Sequence, residues 1–515
     1  FDSTNRLFTL QTDHSMYQMK ADRYGVLLHT WFGMKGSAFD YSYRIAYADR
    51  GFSGNPYDAG DDRTYSLDAL PQEFPAYGSG DYRSSALKVR YPDGPSACDL
   101  RYLKHEIRAG KYSLPGLPAL YDEAQNSDTL IITLEDIRRM FYVHLYYGVM
   151  EDLDIITRAV CVENHSGEDI YLENLQSVCI DYLYGDYDLH TFYGRHVKER
   201  NCQRTPVRHG IQSVGSTRGT SSHQYNPFLI LSNHDTTEDN GSCYGFSFLY
   251  SGDFIGSAEL DQYDQTRFLL GIHPDNFCYC VKPKERFYSP EAAMAYSDHG
   301  LGKLSRIFHR AYRNHLCRGK WTTTRRPVLL NDWEGVYFDF DGDKLIQMAK
   351  DASELGIELF VMDDGWFGKR DLDVSGLGDW VVNEKKLGCT LKEISDQIHA
   401  LGLQFGIWFE PEGINEDSDL YREHPEWAMQ IPGKLPTRSR QQLLLDFSRE
   451  DVRDYIFTHI CQVLDSARIE YLKWDLNRSL SDLYSAVLPR ERQGEVMHRY
   501  VLGLYDMLEK LINRY

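Results

Sequence analysis

The feature that most constrains this chain is a series of short apolar runs between residues 327 and 474, each ending in acidic, amide or aromatic side chains. Pro327-Val-Leu-Leu leads into Asn331-Asp-Trp-Glu. The run 358–363 leads into Asp364-Gly-Trp, and 404–409 into Glu410-Pro-Glu. The run 442–447 ends in Asp446-Phe, and Tyr471-Leu-Lys-Trp leads into Asp475. Segments 342–356, 391–401, 449–466 and 493–513 repeat apolar residues at helical spacing. Strand alternating with helix implies a parallel sheet, because parallel neighbours need a long crossover. Chemistry-bearing residues at the carboxyl ends of such strands mark a (β/α)₈ TIM-type barrel, here assigned to residues 321–515. Five βα units are read where a barrel needs eight, so the barrel is expected to be incomplete, cut after about its fifth unit. A smaller, complete α/β domain is the alternative reading.

Residues 1–290 have a different texture. Short Val-, Ile-, Tyr- and Phe-rich runs are separated by Gly, Asn, Asp and Pro, which predicts an all-β sandwich. Segment 153–163 is the clearest strand, whereas 46–90 is Gly-, Asp- and Tyr-rich without period and reads as a long loop. Residues 291–320 read as a helical linker, opened by Pro290-Glu-Ala-Ala-Met-Ala and continued by Leu304, Ile307, Phe308 and Tyr312 at helical spacing. The chain is thus expected to be multidomain.

A formal net charge of −20 repels phosphate backbones, so nucleic acid is not an expected partner, while a neutral ligand such as a sugar is compatible. No apolar run approaches the length of a membrane span. The first residues do not form a signal peptide, and the absence of Met there points to a trimmed start. The ten cysteines are scattered without a CxxC pair, which fits free thiols and a cytoplasmic location. Cys278-Tyr-Cys280 is too tight for the usual zinc spacing and has no His/Cys partner pair nearby, so no metal site is expected.

Hydrolysis of a glycoside needs two carboxyl groups flanking the bond. On a strand, Lys473 and Asp475 share a face, so the ammonium would keep the carboxylate ionised, and Asn477 continues that face toward a sugar hydroxyl. A solvated salt bridge is the plainer reading. Asp363 and Asp364 offer acceptors for adjacent hydroxyls and Trp366 a flat apolar face, although Asp-Asp-Gly is also ordinary turn chemistry. Trp408 is a second stacking candidate, and Glu410 and Glu412 rival Asp475 as catalytic carboxylates. Arg438 and Arg440 read equally as sugar ligands or surface residues, and Trp333 equally as a site or core residue.

Taken together, Asn331-Asp-Trp-Glu, Phe360-Val-Met-Asp-Asp-Gly-Trp-Phe, Phe405-Gly-Ile-Trp-Phe-Glu-Pro-Glu and Tyr471-Leu-Lys-Trp-Asp-Leu-Asn-Arg resemble glycoside hydrolase family 36, the bacterial α-galactosidases or melibiases. Asp61-Asp-Arg-Thr-Tyr-Ser-Leu-Asp and Leu70-Pro-Gln-Glu-Phe-Pro-Ala-Tyr-Gly extend the resemblance to the first half of the chain. It implies a retaining, cofactor-free enzyme acting on α-galactosides such as melibiose and raffinose by double displacement, with scope for transgalactosylation. In it Asp475 is the nucleophile, and Lys473 contacts sugar hydroxyls. Asp363 and Asp364 hold O4 and O6, Trp408 lines the pocket, Arg440 binds a ring hydroxyl, Asn477 reaches O2, and Trp333 lies at the rim. Glu410 and Glu412 become supporting residues. Family members continue into a Gly-rich strand ending Arg-Phe-Asp, whose Asp is the general acid/base. That run is absent from residues 1–515, so this chain is expected to lack its acid/base and to bind galactosides poorly by itself. The family also implies a homotetramer in which a loop approaches a neighbour's pocket, here 46–90 with Asp62 and Arg63. An α-N-acetylgalactosaminidase or galactosyltransferase of the same family, or a non-catalytic carbohydrate-binding protein, are the alternatives.

Overall fold

A computed structural model describes every residue of the chain except Ile137. The chain divides into two compact units, Phe1–Thr322 and Thr323–Tyr515.

The first unit is built from antiparallel sheets, as the alternation of apolar residues requires. In Phe141–Met150 the side chains of Phe141, Val143, Leu145 and Tyr147 are buried and alternate with half-buried Tyr142, His144 and Tyr146. Its neighbour Ile155–Asn164, the clearest strand in the sequence, is buried along nearly its whole length. The largest sheet packs on a second sheet through Phe246 and Phe268, whose rings stack at 3.9 Å. A three-stranded sheet, Leu7–Gln11, Ser15–Ala21 and Leu27–Met34, completes the layers. It is tied in by a wholly buried cluster: Glu73 pairs with Arg158 at 2.6 Å and accepts from the hydroxyls of Tyr17 and Tyr147.

The long segment 46–90 has little regular structure, and a buried ionic network anchors it. Arg267 donates to both oxygens of Asp181 and to Asp81, each at 2.7 Å. Arg83 donates to Asp81 and to the carbonyls of Leu67 and Leu70.

The reading of 291–320 as a helical linker is corrected. Ala292–Ser297 is a fully buried strand between Cys243–Phe248 and Ile155–Asn164. Ala and Met favour helices in isolation, but burial between two strands overrides that preference. The helix begins only at Gly300, whose φ of 73° and close approach to the Thr237 carbonyl leave no room for a Cβ. Helix Gly300–His315 then lays Leu304, Ile307, Phe308 and Ala311 into the core of the first unit, which makes it part of that unit.

In the second unit strand and helix alternate four times. Strands β1 (Leu329–Asn331), β2 (Leu359–Met362), β3 (Gln404–Phe409) and β4 (Tyr471–Trp474) form one parallel sheet in that order. Helices α1 (Gly342–Glu354), α2 (Leu391–Ala400), α3 (Glu450–Ser466) and α4 (Val496–Arg514) follow them in turn. Asp341 caps α1, and Thr390 with Glu393 forms a capping box on α2.

The expected strand at 442–447, and with it the count of five βα units, is corrected to four. Only Leu443–Leu444 is extended, and it pairs antiparallel with Gly413–Ile414. Arg440 and Gln441 have φ of 50° and 60°, so the chain turns sharply just before this run. The place beside β3 belongs to β4. A short buried apolar run does not by itself declare its partner. Asp475 therefore follows the fourth parallel strand. Among the described residues no helix is long and apolar enough to cross a membrane.

Candidate active site

The carboxyl ends of β1 to β4 converge on one cluster. After β4 the Asp475 amide still donates to the Phe409 carbonyl at 2.8 Å, which carries the β3–β4 alignment past the last strand residue. The Asp475 carboxylate accepts the Trp408 indole N–H at 3.0 Å and the Asn477 amide at 2.8 Å on Oδ2, and the Leu476 amide at 3.0 Å on Oδ1. Three donors fix the direction of the carboxylate.

Lys473 does not pair with Asp475. Its Nζ donates to Asp363 Oδ2 at 2.7 Å, and Asn331 donates to the same oxygen at 2.5 Å. Partial burial works against the Lys473 charge, but the Asp363 pair outweighs it and raises its pKa. Asp364 is gripped by Arg370, whose Nε and Nη2 lie 2.9 and 2.8 Å from its two oxygens. Arg370 is itself held by Asn415 and the Ser375 carbonyl. Burial raises the pKa of Asp364, with Arg370 and then Arg440 acting in the opposite direction. Arg440 is exposed, while Arg438 pairs with Glu416. Trp333 is half-buried, set edge-on to Tyr337 and Phe338.

The two stacking candidates are corrected. Trp366 and Trp408 are at most 1% exposed and pack with Phe367, Trp380 and Phe409. Trp408 instead contributes its N–H to Asp475, and Trp366 donates to the Trp408 carbonyl at 3.0 Å. Glu410 and Glu412 are both buried and face the segment 474–477. Glu412 accepts from Trp474 at 2.8 Å and from Tyr500 of α4 at 2.5 Å. Asp62 and Arg63 lie in the first unit, where Asp62 pairs with Arg23 and Arg63 with Asp49.

Two site residues escape sequence reasoning. Arg370 looks like any surface arginine, and only its burial reveals the clamp. Asp332 accepts the Asp363 amide at 2.8 Å on Oδ1, while its buried Oδ2 has no hydrogen-bond partner among the described residues. Burial, reinforced by the Asp363 charge, pushes its pKa up to about 7, against the effect of the Asp363 N–H. The folded value lies above the unfolded one, so folding takes up a proton between about pH 4 and 7 and stability falls as pH rises through that window. Asp332→Asn is expected to stabilise the protein at pH 8 by roughly 1–3 kcal/mol, with the gain vanishing below about pH 4. Thermal melts across that range check this, and equal melts at pH 8 would refute it.

Comparison with known proteins follows this geometry. Residues 286–515 match the Melibiase family model, and residues 25–282 match the model of the glycosyl hydrolase family 36 N-terminal domain. α-Galactosidase AgaA of Geobacillus stearothermophilus is 43% identical over 516 residues, covering 100% of this chain and 70% of its own. The chain belongs to glycoside hydrolase family 36. Within that family it is also 52% identical to the bifunctional α-galactosidase/sucrose kinase AgaSK of Mediterraneibacter gnavus, covering 100% of this chain and 54% of that protein. The chain thus spans about half the length of one curated relative and 70% of another. The crystal structure of a variant of AgaA in complex with raffinose superposes with a TM-score of 0.97 at 43% identity, over 99% of this chain and 71% of that one. The family 36 assignment covers a sheet-rich N-terminal domain followed by a catalytic domain.

Proposed function

We propose that this chain carries the nucleophile and the sugar-gripping residues of a retaining α-galactosidase. The observation that supports this most directly is the setting of Asp475, a half-buried carboxylate aimed by three N–H donors at the end of β4. Beside it, Asn331, Asp363 and Lys473 form a charged, hydrogen-bonding triplet of the kind that reads adjacent sugar hydroxyls. Asp363 and Asp364 would accept from O4–H and O6–H of galactose, so the axial 4-OH is the selected feature. Arg440 and Asn477 would take ring hydroxyls.

In the reaction Asp475 attacks the anomeric carbon, a β-galactosyl ester forms, and water releases α-galactose. A retaining enzyme also needs a general acid about 5–5.5 Å from the nucleophile. Glu410 accepts three N–H groups, Asp363 is paired with Lys473, and Asp364 with Arg370. Following the family pattern, the reading has the acid supplied from outside the four βα units, which we take as part of a (β/α)₈ barrel. The complexes of AgaA variants with raffinose and stachyose support oligosaccharides as the substrate class.

The test uses the full-length gene product. It is expected to hydrolyse p-nitrophenyl α-galactoside at least about 100-fold faster than the β-anomer, with α-galactose as the first product seen by NMR. No α-galactoside hydrolysis, or β-galactose released first, would sink the reading.

A further inference from the structure

Glu410 stands immediately after β3, is 1% exposed, and has no role in the reaction as written. Its Oε1 accepts the backbone N–H of Asn477 at 2.7 Å. Its Oε2 accepts the side-chain amide of Asn477 at 3.2 Å and that of Gln442 at 3.1 Å. The same Asn477 nitrogen donates its other hydrogen to Asp475 Oδ2 at 2.8 Å. One amide group therefore lies between two carboxylates, and only its NH₂ end satisfies both. We propose that Glu410 is a positioning residue that sets the direction of the Asp475 carboxylate by fixing the rotamer and flip state of Asn477.

The alternative is that Glu410 delivers a proton to the glycosidic oxygen. The geometry disfavours it: three N–H groups occupy its oxygens, and the side chain is closed off from solvent. Burial also raises its pKa to about 7, with the Asp475 charge adding to the rise and the Asn477 donors opposing it. A group in that state depends on its donors, and the donors in turn are oriented by it.

The consequence for substitution is specific. In Glu410→Gln, one oxygen must serve all three donors. If it stays on the Asn477 backbone, the new NH₂ faces two amide NH₂ groups. Gln442 can turn over, since its Oε1 is buried without a partner among the described residues. Asn477 cannot turn over without placing its oxygen against Asp475 Oδ2. The carboxylate then swings away from its attack direction, and small misplacements of a reacting group are costly.

This inference rests on Asp475 being the nucleophile, and the experiment separates the two. In the full-length gene product, Glu410→Gln, Asn477→Ala and the double variant are assayed with 2,4-dinitrophenyl and p-nitrophenyl α-galactosides. Glu410→Gln is expected to lower kcat about 10- to 100-fold on both substrates, with KM changed less than about 3-fold. The double variant is expected to fall no more than about 3-fold below Asn477→Ala, because both changes break one linkage. Glu410→Asp keeps the charge but withdraws it from the Asn477 amide, so it is expected to lose kcat as well and serves if Glu410→Gln does not fold. Near wild-type kcat in either Glu410 variant, multiplicative losses in the double variant, or a loss confined to the poorer leaving group would each overturn the proposal. The last would make Glu410 the acid/base instead. A wild-type protein inactive on both galactosides would remove the functional reading itself, whatever the variants do.

Discussion

Asp475→Asn in the full-length gene product is expected to lower kcat on α-galactosides by on the order of 10⁴-fold or more, with a small change in KM. An amide of the same shape keeps the packing at the end of β4 but has no ionised oxygen to attack the anomeric carbon. It also replaces an acceptor with a donor, where Trp408 N–H, Asn477 N–H and Leu476 N–H all converge on the carboxylate. Melting temperature should move little, because the side chain is only half-buried and remains hydrogen-bonded on one oxygen. An activated 2-fluoro galactosyl donor provides a second readout. It is expected to label the wild-type peptide that contains Asp475 and to leave the variant unlabelled. A variant within about tenfold of wild type, or a label on another peptide, would remove Asp475 from the role.

The largest effect on stability is expected far from this cluster in sequence, at Arg267. Its guanidinium is 1% exposed and satisfies Asp181 with two bonds, Asp81 with one, and the Ser84 carbonyl. Burial alone would raise the Asp81 pKa, but Arg267 and Arg83 more than offset it and hold the carboxyl below its usual range. Arg267→Met leaves Asp81, Asp181 and Asp261 buried around a single cation, Arg83. Removing one partner of such a network costs about 3–5 kcal/mol. Urea unfolding of the variant should show a loss of that size in the transition that includes the first unit. Segment 46–90, which the network anchors, should become the first site of proteolysis. A loss under about 1 kcal/mol would mean that the carboxylates find other partners.

Much of the second unit is legible from periodicity. The four long helices fall where apolar residues recur at helical spacing, and β2, β3 and β4 fall where short apolar runs break into acidic residues. What fails is anything decided by a distant partner. The run 442–447 is as apolar as a parallel strand, yet its neighbour is Gly413–Ile414. Ala292–Ser297 has helix-forming composition and becomes a strand because two strands flank it. The site shows the same division. Asp363, Lys473, Asp475 and Asn477 are brought together as their positions at strand ends suggest. Trp408 is present as expected, but it offers an N–H where a stacking face was anticipated. Arg370 and Asp332 act through burial, which a local sequence pattern does not encode.

The Asn331–Asp363–Lys473 triplet has a consequence for how the molecule matures. Asn331 reaches across 32 residues to Asp363, and Lys473 across 110. On the proposed reading, the groups that would hold the sugar come together only when the last of the four strands has docked. A ligand that bridges these groups binds the finished sheet and not its precursors, and mass action then favours the finished sheet by RT ln(1 + [L]/Kd). On that reading, a galactose-like ligand present during synthesis would favour the folded sheet.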